Sequence, residues 1–168
     1  MNPRVRRALG VLVGLGALAS GCGDDAEQVE AATVADAAAD FLPASLRGLR
    51  VEREALPERL ASTTRSYLDS MGLYSLREGE ELAATMQVGR FSDDARVEDS
   101  EFRRDIVNQL GSSQPRAFRM GDQVVHLTTG DQQRVAVWFE DRFLLILAVR
   151  DDFEGFRGLL RDTVELAK

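Results

Sequence analysis

Residues 143–149 read Phe143-Leu144-Leu145-Ile146-Leu147-Ala148-Val149, an unbroken apolar run. A strand with one buried face alternates apolar and polar side chains, whereas a strand covered on both faces is apolar throughout. The run therefore predicts a strand in the middle of a sheet, with other elements packed against both of its faces. Glu140-Asp141 before it is typical of a turn.

The segments before this run alternate in hydropathy with a period of two and are separated by turn residues. They predict three strands, around 118–120, 124–128 and 134–139, with turns at Gly121-Asp122 and Thr129-Gly130-Asp131. Strands joined by such short turns pair in antiparallel fashion. We therefore expect an antiparallel meander that ends in residues 143–149.

Further strands are predicted in the first half of the domain. Leu49 and Val51 alternate with arginines, which indicates a short strand near 47–54. Alternation over 74–76 and again over 82–88, with Gly79-Glu80 between them, predicts a hairpin.

Three segments have helical patterns. Pro57 suits a first helical turn, apolar residues follow at helical spacing, and Gly72 stands where a C-terminal cap would, so a helix is predicted over 57–71. A second helix is predicted at about 99–110, capped by Asp99 or Ser100. A third is predicted to begin at Asp151-Asp152, where acidic residues suit the helix dipole.

These elements define an α+β fold, with an antiparallel meander sheet of about six to seven strands packed with three helices. In topology the arrangement loosely resembles small α/β/α sandwiches such as the PsbP-like group, which includes lipid-anchored proteins. The resemblance implies helices on the faces of the sheet, and no motif carries it.

The N-terminus has the order of segments of an export signal. Three arginines precede the uncharged residues 8–20, a stretch as long as a signal-peptide apolar region and shorter than a membrane-spanning helix. Leu18-Ala19-Ser20-Gly21-Cys22 then resembles the lipobox of bacterial lipoproteins, although Ala19 stands where leucine is commonest in that family. The resemblance implies a diacylglycerol on the Cys22 thiol and cleavage between Gly21 and Cys22. The alternative is a secreted protein cleaved after Ala19 or Gly21, with Cys22 as a free thiol.

The expected organisation has three parts. They are a lipoprotein signal peptide at 1–21, an acylated Cys22 with an Ala- and acid-rich tether at 22–40, and a single domain at 41–168. Cys22 is the only cysteine, so no disulfide can form within the chain. An apolar content of 44% over this length is enough for one core.

The charge balance disfavours some partners. Residues 1–21 hold three of the 21 basic residues and none of the 28 acidic ones, so the remainder carries 18 − 28 = −10. Nucleic acids and anionic headgroups recruit basic surfaces. We therefore expect no nucleic-acid partner.

Residues suited to catalysis are sparse. His126 is the only histidine, so a catalytic triad would have to use it, and no cysteine remains as a nucleophile. A zinc site built from several histidines is ruled out. The acidic doublets Asp24-Asp25, Asp93-Asp94 and Asp151-Asp152 lack calcium-loop spacing and are expected to cap helices or to be solvated. We expect no metal and no cofactor.

Trp138 is the best indication of a binding surface. If its neighbours Val137 and Phe139 face the core, Trp138 is partly exposed and suits a recognition anchor. Arg119 and Arg134 lie in the same meander and could form a basic patch beside it for an acidic partner. The alternative is that a helix covers Trp138.

The sequence thus predicts a lipoprotein anchored on the extracytoplasmic face of the cell membrane. Its domain is expected to be non-enzymatic and to bind an envelope protein or a small ligand. Two alternatives remain: an envelope hydrolase that uses carboxylates such as Asp93, Asp94 or Asp122, and a purely structural spacer.

Overall fold

The computed structural model describes residues 42–56, 67–93 and 95–167. Eight strands form one antiparallel sheet: β1 (Ser45–Leu46), β2 (Leu49–Glu54), β3 (Leu68–Glu78), β4 (Glu81–Phe91), β5 (Arg116–Met120), β6 (Gln123–Gly130), β7 (Gln133–Glu140) and β8 (Phe143–Arg150). Two helices accompany them in the described residues, α1 (Ser100–Gln109) and α2 (Phe156–Leu166).

The strand order is β1-β2-β3-β4-β8-β7-β6-β5. The chain builds one half of the sheet from the edge inward as far as β4. It then crosses through α1 to the opposite edge and returns inward from β5 to β8. As a result the two meanders meet where β4 pairs with β8, and β5 is left at an edge.

The prediction that residues 143–149 form a central strand covered on both faces is confirmed. β8 pairs with β4 and β7, and residues 144–149 are all buried. Leu145, Leu147 and Val149 join a core that includes the buried face of α2. Leu144, Ile146 and Ala148 join a second core that includes the buried face of α1.

α1 confirms the helix predicted at about 99–110. The Asp99 carboxylate accepts a hydrogen bond from the Glu101 N–H at 2.8 Å, as an N-cap residue does. Ile106 and Val107 are buried, and Phe102 packs edge-on against Tyr67. The helix therefore closes one face of the sheet.

α2 confirms a helix at the C-terminal end, but the predicted start at Asp151-Asp152 is wrong. The helix begins at Phe156. Asp152 instead pairs with Arg150 at 2.7 Å, and the Asp151 carbonyl accepts a hydrogen bond from Arg134. The acidic doublet therefore belongs to the β8–α2 connection and not to the helix.

The predicted fold class is wrong. Eight strands and two short helices in the described residues lie closer to an all-β protein than to an α+β fold with three helices and six to seven strands. The remaining predicted helix is the one over 57–71. Residues 57–66 lie outside the described residues, and 68–71 belong to β3. A bulge in β3 between Leu68 and Ser70 explains the helix-like spacing there.

The predicted hairpin is confirmed, with β3 and β4 longer than expected and joined at Gly79-Glu80. The strands predicted around 118–120, 124–128 and 134–139 are confirmed as β5, β6 and β7. The predicted signal peptide and tether, including Gly21 and Cys22, lie outside the described residues. In the described part of the chain, no helix is both long enough and apolar enough to cross a membrane.

Candidate functional site

Trp138 is fully buried and is not available as a surface anchor. It pairs with Leu145 of β8 and lies in the core that α2 closes. Both faces of β7 are covered, so the alternative in which a helix covers Trp138 is the one observed. Its indole Nε1–H has no hydrogen-bond partner within the described residues.

Arg134 holds the β8–α2 connection together. One nitrogen of its guanidinium donates to the carbonyls of Arg150, Asp151 and Phe153, at 3.1, 3.0 and 2.7 Å. The guanidinium also lies 4.5 Å from the ring centroid of Phe156, in cation–π geometry. These contacts give Arg134 a structural role and remove it from the predicted basic patch.

Arg119 points away from Trp138. Phe118 pairs with the buried Val125, which lies on the α2 side of the sheet. Since side chains alternate along a strand, the next residue, Arg119, projects to the α1 side. The three residues predicted as one binding surface therefore do not come together.

The most accessible surface of the sheet is the β5 edge, which we define as strand β5 together with Val124. Within the described residues β5 pairs only with β6, so its outer backbone groups are free of sheet partners. Arg116 and Arg119 are exposed on opposite faces of this strand, and Val124 is 42% exposed. An open strand edge is a template for pairing with another chain.

The β5 edge carries two positive charges, those of Arg116 and Arg119. Neither Arg116 nor Arg119 forms an ion pair with any residue that the structure describes. Strands β5 and β6 contain no aspartate or glutamate, although the whole chain has a net charge of −7. The β5 edge is therefore a local positive region on an acidic protein.

The sequence pattern places Arg119 in the meander but does not identify the edge. A usable signal was present, because β5 is only five residues long and reads RAFRM, with an arginine on each face. Short strands with outward charges are typical of sheet edges.

His126 is half-buried on the α1 side of the sheet, where it pairs with Ala117 and Val137. Burial lowers the pKa of its imidazole below the usual 6.5, so the ring is neutral at pH 7. Within the described residues, no group of three or more histidine, cysteine or acidic side chains is placed to hold a metal ion.

The carboxylates considered for hydrolysis lie in different connections of the sheet. Asp93 follows β4 and lies 3.6 Å from the guanidinium of Arg142. Asp122 is exposed in the β5–β6 turn, and Asp94 lies outside the described residues. Asp93 and Asp122 lie at the same end of the sheet, but β8 and β7 separate the strands β4 and β6 beside them.

Among the described residues, a small cavity beside the sheet is lined by residues 82–85 with Gln133, Ala148 and Arg150. Its volume of about 10 Å³ suits a single water molecule rather than an organic ligand.

In comparisons with known proteins, no family model, no curated protein and no solved structure matches the chain.

Proposed function

We propose that the protein is a bacterial lipoprotein, held on the extracytoplasmic face of the cell membrane by a diacylglycerol on Cys22, and that its β-sheet domain is a non-enzymatic binding or accessory domain. The main support for the anchor is the Leu18–Cys22 stretch, which stands at the end of a basic segment and an uncharged apolar segment. Acylation would account for the presence of a single cysteine at that position. Two or more acyl chains are enough for stable anchoring.

Support for the binding role comes from the β5 edge. It combines an unpaired strand edge, two exposed arginines without ion pairs among the described residues, and an exposed apolar side chain at Val124. Edge strands of this kind recruit extended segments of partner chains. The partner we expect is an envelope protein that meets the domain at the membrane surface.

Acylation is tested by expressing the full-length chain in a bacterial host and feeding an alkyne-bearing fatty acid. We expect label on the wild-type protein, a membrane-bound mature form, and no label on Cys22→Ser. Protease added to cells with a permeabilised envelope should degrade the domain while cytoplasmic proteins survive. Equal labelling of the two forms, or protection of the domain until the cytoplasmic membrane is lysed, would contradict the anchor and its location.

The accessory role is tested by crosslinking in cells and mass spectrometry of what co-purifies with the full-length chain. We expect one dominant envelope protein with the acylated form and its loss with Cys22→Ser, because the anchor concentrates the domain at the membrane. Recovery of no envelope protein with the acylated form would argue against an accessory role.

A further inference from the structure

We propose that the β5 edge binds an extended, acidic segment of the partner protein, which adds to the sheet as a ninth strand beside β5. This inference rests on the proposed binding function and specifies the chemistry of the partner. It draws on three features of the same strand: its position, its charge and its side-chain pattern.

The first feature is position. β5 closes one end of the strand order, and β6 is its only sheet partner in the described part of the chain. Its outer N–H and C=O groups can therefore form the ladder of an added strand. At the other edge the two-residue β1 pairs only with Leu49 and Arg50, so it offers a much shorter ladder.

The second feature is charge. Because Arg116 and Arg119 lie on opposite faces of β5, an added strand would meet one cation on each of its own faces. Most other arginines of the sheet are already matched to acidic residues, such as Arg77 with Glu52 and Arg150 with Asp152. Arg116 and Arg119 have no such match among the described residues, so carboxylates of an incoming strand would find them available.

The third feature is the apolar component. Phe118 and Met120 are half-buried on the α2 side, and Val124 is exposed on the α1 side. A partner strand with one acidic side chain opposite Arg116, another opposite Arg119, and apolar side chains opposite Phe118 and Met120 would meet both the cations and this apolar surface. Cross-strand pairs of opposite charge and of apolar residues both stabilise a sheet.

Charged residues on an edge strand also protect against aggregation, and the test separates that role from recognition. The probe is a fluorescent ten-residue peptide, Glu-Val-Val-Glu-Val repeated twice, whose glutamates three residues apart can lie opposite Arg116 and Arg119. Its binding to the full-length protein in detergent is measured by anisotropy. The variant is Arg116→Glu with Arg119→Glu, which leaves both positions charged and so keeps the edge protected. The matched control is Arg157→Glu with Arg161→Glu, the same charge change at two exposed positions of α2.

We expect saturable binding to the wild-type protein and about a tenfold weaker affinity for the β5 variant, because exposed ion pairs are each worth a few-fold in affinity. The α2 control should change affinity by less than about twofold. A probe N-methylated at every residue keeps its charge but has no backbone donors, and it should bind at least about tenfold more weakly.

Several results would overturn the proposal. They are equal weakening by the two double variants, equal binding of a valine–lysine peptide, undiminished binding of the N-methylated probe, or no binding at all. A wild-type dimer that the β5 variant converts to monomer in sedimentation would make the edge a contact between two copies. Tighter binding of a peptide of residues 23–40 would assign the edge to the chain's own acidic segment. All of these readouts are independent of the acylation and location of Cys22.

Discussion

Gly111 should not tolerate a side chain, because it lies directly against Thr128 where the α1–β5 connection crosses β6. A methyl group built at Gly111 would overlap the Oγ1 and Cγ2 atoms of Thr128 and lie 2.8 Å from its Cβ. Thr128 is buried and cannot swing out into solvent. The substitution Gly111→Ala therefore has to displace either β6 or the connection.

The magnitude follows from the contacts at risk. Overpacking a well-packed site costs about 1–3 kcal/mol. Thr128 Oγ1 also donates to the Ser113 carbonyl at 2.8 Å and contacts the Ser113 hydroxyl at 3.0 Å. Each hydrogen bond is worth about 1 kcal/mol net. We expect Gly111→Ala to lower the free energy of unfolding by about 2–4 kcal/mol, a large part of the 5–15 kcal/mol typical of a domain.

The assay is urea unfolding monitored through the fluorescence of Trp138, which is the only tryptophan in the sequence and is fully buried. Gly130→Ala is the matched control, since a methyl group there would meet only Val135 Cγ2 at 3.8 Å, an ordinary contact. It should change stability by less than about 0.5 kcal/mol. Thr128→Ala removes the two nearest atoms, Oγ1 and Cγ2, and leaves only Cβ at 2.8 Å, so the double variant should recover at least about 1 kcal/mol relative to additivity. A loss below about 0.5 kcal/mol in Gly111→Ala, or strict additivity, would refute the reasoning.

Three further predictions concern other parts of the fold. Gly158→Ala would place a methyl group 2.6 Å from the Arg47 guanidinium, which is exposed and can move. In an Arg47→Ala background, where this contact is absent, Gly158→Ala should stabilise the protein by about 1 kcal/mol in urea unfolding, because alanine has a higher helix propensity than glycine. Because burial lowers the pKa of His126 below 6.5, the unfolded chain takes up a proton first as pH falls. Stability should therefore decrease below about pH 6.5, and His126→Gln should show a smaller decrease between pH 7 and 5.5 in the same assay. Arg134→Lys should lower the free energy of unfolding by about 1–3 kcal/mol, since lysine cannot reproduce the carbonyl contacts and the stacking of Arg134. The affinity for the valine–glutamate peptide should stay within about twofold. Unchanged stability would contradict the structural role of Arg134.

The sheet could be predicted largely from hydropathy, because its turns and alternating segments are local signals. The position of β5 at an edge could not be predicted in this way. It depends on α1 carrying the chain to the far side of the sheet, and hydropathy alternation does not record where a crossover ends. The short length of β5 and its two arginines are the only local indications of an edge. Strand order is a property of the assembled fold, so the most accessible surface of the domain became recognisable only in three dimensions.

The predicted binding residues failed for a related reason. Every residue from Val135 to Phe139 is buried, so β7 has no polar face by which alternation could distinguish the exposed side from the covered one. The sequence pattern does not distinguish the role of Arg134 from that of Arg119. They differ because Arg134 reaches three carbonyls 16 to 19 residues away, whereas Arg119 lies on a strand with an open edge. Long-range contacts of this kind decide whether an arginine is structural or available to a partner.

The predicted helix over 57–71 is wrong at residues 68–71, which belong to β3, and this error has a more specific cause. In a regular strand, residues three apart face opposite sides, so the spacing of Leu68 and Met71 indicates a helix. In β3, however, Asp69 is the extra residue of a bulge, and this places Leu68 and Met71 on the same side, in the core that α1 closes. The partner strand makes room for this arrangement, because the Leu68 side chain lies where a Cβ of Gly89 would be, at 2.8 Å. A spacing of three therefore belongs to a bulged strand as well as to a helix. In this sheet the distinguishing feature is Gly89, which pairs with Met71 just beyond the bulge and leaves room for the Leu68 side chain.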